Sequence, residues 1–87
     1  MRIDKDFTIQ KVGASYVAVP VGETSKTYHG MIRLNETGAF LWKKLCEADQ
    51  TEDTLVAALL DEYDVDEATA RADVQKLLTA LKNGKVL

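Results

Sequence analysis

Apolar and polar residues alternate along Phe7–Val12 (FTIQKV) and again along Ser15–Val19 (SYVAV). A period of two puts successive side chains on opposite faces and predicts two strands. Gly13 and Ala14 between them suit a hairpin turn. Pro20 has no N–H to give to a ladder, so it ends the second strand or lies on its edge. Val21–Thr27 (VGETSKT) is polar, contains Gly22 and predicts a turn. The alternation then returns over Tyr28–Leu34. Tyr28, Ile32 and Leu34 share one face with Gly30 between them, and His29, Met31 and Arg33 share the other. Three short strands with short connections predict an antiparallel meander whose third strand, Tyr28–Leu34, lies at an edge.

The period changes at Asn35. Its side-chain oxygen is suited to accept a backbone N–H of a first helical turn, and Leu34 and Ala39 stand at the staple positions on either side. A helix is expected from about Glu36 to Ala48, with Leu41, Trp42, Leu45 and Cys46 as its apolar stripe. Cys46 reads as a small buried hydrophobe. Gly38 inside this helix costs up to about 1 kcal/mol against alanine, which implies that something packs close to it. Phe40 falls off the stripe and is expected to cover a strand edge or to meet a partner. A second helix starts after Thr51, with Glu52 and Asp53 in its first turn and Leu55, Val56, Leu59, Leu60 and Tyr63 as its stripe. A third follows Asp66, with Ala70, Val74, Leu77, Leu78 and Leu81 inward and Asn83-Gly84 as its stop. Strands followed by helices predict an α+β domain, a three-stranded antiparallel sheet followed by three helices, with residues 1–87 forming one unit.

Composition narrows the function more than the fold. Acidic residues outnumber basic ones by 14 to 11 and the net charge is −3, which argues against a general nucleic-acid binder. One cysteine excludes an internal disulfide, and one histidine with one cysteine does not make a zinc site. No apolar run approaches a membrane span, and the opening MRIDKDFTIQ lacks the apolar core of a signal peptide, so a cytoplasmic location is expected. His29 has no nucleophile or orienting carboxylate that spacing would pair with it, Thr24-Ser25-Lys26 lacks the glycines of a phosphate loop, and Asp61–Glu67 lacks calcium-loop spacing. No catalytic residue, cofactor or metal is expected.

What remains is geometry. On the third helix Arg71, Gln75, Leu78 and Lys82 fall on one flank of the core stripe, and Asp73 and Ala80 on the other. Set beside the edge strand, the first flank makes a groove whose backbone groups could receive an extended peptide. The same pattern also fits a solvated face over a core leucine. An open edge of this kind also allows pairing with a second copy of the chain.

The stretch Gly30–Ala39 (GMIRLNETGA), followed by Leu41-Trp42, Leu45, Leu55, Leu59, Tyr63, Val74, Leu77, Leu78 and Leu81, resembles the PqqD-like family, also called the RiPP recognition element. The strand–helix junction LNETGAFLW is the specific part; the helical leucines alone are not. The resemblance implies a small winged-helix-like domain that binds the leader of a ribosomally made precursor peptide. The leader adds as a strand beside the third strand and against the third helix, and a partner, often a radical S-adenosylmethionine enzyme, modifies the core peptide. The positions matching that groove are Tyr28, His29, Gly30, Met31, Ile32 and Arg33 on the strand, and Arg71, Val74, Gln75, Leu78 and Lys82 on the helix. Two other readings compete. In a winged-helix DNA-binding regulator, Arg71, Lys76, Lys82 and Lys85 would touch phosphates, but Glu67 and Asp73 share that helix. In a non-catalytic subunit with a folded partner, Phe40 and the wet face of the sheet would be the interface.

Overall fold

The computed structural model describes residues 1–28 and 30–87. Strand β1 (Phe7–Val12) turns through Gly13-Ala14 into β2 (Ser15–Pro20), in the register Phe7↔Pro20 to Val12↔Ser15. Gly13 has φ +63° and Ala14 stays out of the left-handed region, the pattern of a turn with glycine at its first central position. A single helical turn, α1 (Thr24–Thr27), occupies the segment read as a polar turn. Its anchor is non-local: the Asp6 amide donates to Thr24 Oγ1 at 2.9 Å, and Thr24 is buried.

The third strand is shorter than the alternation predicts. β3 covers Ile32–Leu34 only and pairs antiparallel with β2 as Tyr16↔Leu34, Val17↔Arg33 and Ala18↔Ile32. Gly30, at φ +111°, takes a conformation that L-residues avoid, so the extended run breaks there. Tyr28, upstream of the break, leaves the sheet and packs edge-on against Phe7, with ring centroids 5.3 Å apart. The strand order is β1-β2-β3. Ile9, Ala18 and Ile32 therefore share the inner face, and Gln10, Val17 and Arg33 the outer one.

Three helices follow: α2 (Glu36–Glu47), α3 (Glu52–Glu62) and α4 (Glu67–Asn83). Each begins at its expected cap. Asn35 Oδ1 accepts from the Gly38 amide at 2.8 Å, Thr51 and Thr54 form a reciprocal capping box, and Asp66 accepts from the Thr69 amide at 2.7 Å. Helix α2 is the hub, in contact with β2, β3, α3 and α4. Its Leu41, Trp42 and Leu45 are almost fully buried, and Trp42 meets Phe7 edge-on at 5.2 Å. Each fully buried leucine contributes roughly 1.5–3 kcal/mol of transfer free energy. Ala18 and Leu34 close the core from the sheet; Leu55, Leu59, Val74, Leu81 and Val86 close it from the helices.

Two residues of α2 stand out, Cys46 because it departs from expectation. Cys46 is exposed rather than buried, because the last turn of the helix, with Glu47 and Ala48, runs past the edge of the core. Phe40 is half-buried against the edge of the core. It stacks edge-on against Tyr63 at 5.5 Å, with the Lys44 ammonium 5.4 Å from its ring centre.

Candidate functional site: an open strand edge beside a groove

Among the described residues β3 has one strand neighbour, β2, and its other edge is unpaired. Ile32 and Leu34 turn toward the helices, Leu34 fully buried and Ile32 half-buried, while Arg33 stands exposed on the opposite face. Met31, just before the strand, is 70% exposed, which is unusual for a large apolar side chain. The strand ends at the Asn35 cap. Asn35 Oδ1 also takes the Thr37 hydroxyl at 3.1 Å, so the strand passes into α2 without a free linker.

A cavity of about 340 Å³ runs along this edge. Ile32–Asn35 form one wall and Asp73, Lys76, Leu77 and Ala80 of α4 the other, with Ala14-Ser15, Thr37 and Gly38 completing the lining. Its floor is apolar and its rim charged. It can hold a strand's width of extended chain, with main-chain groups of β3 on one side and side-chain packing on the other.

The helical wall of this cavity comes from the flank of α4 that carries Asp73 and Ala80, not the flank that carries Arg71, Gln75 and Lys82. Arg71 faces α3: its Nη1 donates to Glu52 at 2.7 Å and to Asp53 at 3.1 Å, and its Nη2 to Glu67 at 3.5 Å. Gln75 donates to the same Glu52 carboxylate at 3.4 Å. Val74 and Leu78 are buried in the core. Lys82 is exposed near the end of α4 and does not line the cavity. The roll of α4 is set by its buried stripe, Ala70, Val74, Leu77, Leu78 and Leu81, and with that stripe inward Arg71 and Gln75 meet the acidic first turn of α3. Of the expected strand residues, Ile32 and Arg33 line the cavity; Tyr28, Gly30 and Met31 precede it, and His29 lies outside the described residues. Asp73 and Ala80 carried the signal that would have found the wall, since helical periodicity puts both on the far flank.

The chemistry of the remaining groups is quiet. Partial desolvation by the neighbouring turn pushes the thiol of the otherwise exposed Cys46 up from its ordinary value, the direction opposite to activation as a nucleophile. No group of three or more His, Cys, Asp or Glu side chains among the described residues could hold a metal ion. No described helix is long and apolar enough to cross a membrane.

Fold and site together define a small α+β domain whose sheet edge opens onto a groove roofed by its last helix. Residues 16–87 match the family model described as coenzyme PQQ synthesis protein D (PqqD), and the chain belongs to that family. Two solved structures share its fold. One, described as TbiB1 in complex with the TbiA(beta) leader peptide, is 24% identical with a TM-score of 0.69, over 100% of this chain and 94% of that one. The other, described as lasso peptide synthetase B1 complexed with the leader peptide, is 21% identical with a TM-score of 0.61, over 88% and 84% of the two chains. A comparison with curated proteins gives no match.

Proposed function

We propose that this chain binds the leader segment of a ribosomally made precursor peptide, adding it as a strand to β3, and presents the attached core segment to a modifying enzyme of the radical S-adenosylmethionine class. The observation that carries this reading is the unpaired outer edge of Ile32–Leu34 beside the groove walled by Asp73, Lys76, Leu77 and Ala80. Family membership supports it, as do two relatives of the same fold that were solved with leader peptides. Main-chain hydrogen bonds to β3 supply affinity, and the groove supplies register. Gly30 and Met31 lead the guest toward the edge, with Tyr28 and His29 upstream; Val74 and Leu78 support the groove from below.

Residues 1–87 act as one binding unit. In this reading the chain does no chemistry; holding a flexible leader near an active site raises the local concentration of its core segment. A guest on β3 also occupies the edge through which a second copy would pair. The work takes place in the cytoplasm, where precursor and enzyme are made.

The test is a titration of isotope-labelled protein with a synthetic precursor leader, chosen from any short reading frame found beside the gene. The amide signals of Ile32–Leu34 and Asp73–Ala80 are expected to move together. Binding that moves the Phe40–Tyr63 surface and leaves both groove walls still would overturn strand addition.

A further inference from the structure

The sign of its charge sets the groove apart from the chain as a whole. The chain carries a net charge of −3. The groove reverses that sign, since its charged lining is Arg33 and Lys76 against Asp73 alone. None of these three has an ion-pair partner among the described residues, a state they share with most of the chain's cations, so what distinguishes Arg33 and Lys76 is their place beside the open strand edge. Cations left unpaired along an unpaired strand edge are arranged for a guest that brings the opposite charge.

The register says where that charge belongs. A strand added to β3 continues the rows of the sheet. Its residues beside Ile32 and Leu34 turn inward, over Leu77 and Ala80, and must be apolar. Its residue beside Arg33 turns outward, on the row of Gln10 and Val17. Directly opposite residues on one face have Cβ atoms about 4.5–5.5 Å apart, close enough for a carboxylate to reach the Arg33 guanidinium. We infer that the guest of this groove is an acidic peptide with an apolar–acidic–apolar triplet, its carboxylate paired across the strands with Arg33 and its overall negative charge drawn in by Lys76. This rests on the strand-addition reading above and specifies the chemistry of the segment that adds.

The probe is a library of random decapeptides displayed and selected against the full chain at low salt. The expected result is enrichment of Asp or Glu between two apolar residues. Replacing that acid by lysine in a selected peptide should weaken binding roughly three- to tenfold, the scale of turning a favourable cross-strand charge pair into an unfavourable one. Arg33→Glu should weaken the acidic peptide by the same factor and restore the lysine peptide, and the effect should shrink in high salt. Arg33 is exposed, so the variant should fold; an unchanged amide spectrum checks that, and Lys76→Glu gives a second reading from the other wall. Selected peptides that shift the Ile32–Leu34 amides but show no acidic preference and ignore Arg33→Glu overturn this inference and leave strand addition standing. A selection in which no peptide shifts those amides overturns both.

Discussion

Gly38 shows how one residue can be read in two ways. A helix-interior glycine normally costs up to about 1 kcal/mol, so alanine there should stabilise. Here an added Cβ would lie 3.0 Å from Asn35 Oδ1 and 3.5 Å from Leu34, and Asn35 is the cap. What packs close to the glycine is the helix's own cap and the residue before it. Losing an Asn cap costs about 1 kcal/mol, which cancels the gain in propensity. Gly38→Ala alone should therefore leave the urea midpoint nearly unchanged or lower it. In an Asn35→Ala background the crowding atom is gone, and the same substitution should stabilise by up to about 1 kcal/mol. A double-mutant cycle by urea denaturation reads the change of sign directly; parallel effects in both backgrounds would mean that the cap does not set the glycine.

At the scale of the element, β3 and α4 make separate predictions. β3 is three residues long and held from one side, so its amides pointing away from β2 should exchange quickly in the free protein and become protected when a leader peptide is added. The start of α4 depends on the Asp66 carboxylate, whose pKa is lowered by the hydrogen bond from the Thr69 backbone amide. A lowered folded pKa means that this stabilisation is fully present above the ordinary aspartate value, near pH 3.9, and is lost as pH falls through the folded value. Asp66→Asn keeps the cap and should flatten the acid side of a stability-against-pH curve, measured by urea midpoints from pH 7 to 2.5. These same elements show how far the sequence could be read. The caps at Asn35, Thr51 and Asp66 are local, side chain to a nearby amide, and all three were legible. So were β1, β2 and the stripe of α2 down to Leu45. The end of β3 at Gly30 was not, since alternation cannot tell a glycine within a strand from one that leaves it. Nor was α1, whose anchor, Thr24 to the Asp6 amide, joins residues far apart in sequence. The open edge of the third strand was legible; which flank of α4 lines the cavity beside it was not, because a helical wheel yields two flanks and says nothing of which one meets the sheet.

The whole molecule decides that last point. Helix α2 occupies the centre, so α4 must pack with one flank against α3 and leave the other facing the sheet. With its buried stripe inward, α4 turns Arg71 and Gln75 to the acidic first turn of α3 and Asp73, Lys76, Leu77 and Ala80 to the groove. Two substitutions on one helix should therefore separate stability from binding. Arg71→Ala removes pairs that lie at the surface, so it should lower the unfolding midpoint slightly and leave leader affinity unchanged. Leu77→Ala strips an apolar side chain that is buried and also lines the cavity. Large-to-small changes at such sites cost about 2–5 kcal/mol of stability, toward the low end here because the groove side is open to water. It should also weaken binding, since the guest loses the surface on which its inward residues rest. Calorimetric titration of both variants with one peptide, below their unfolding temperatures, gives the comparison. If Arg71→Ala weakened binding as much as Leu77→Ala, the guest would have to reach the α3–α4 seam, and the division of labour between the two flanks of α4 would be wrong.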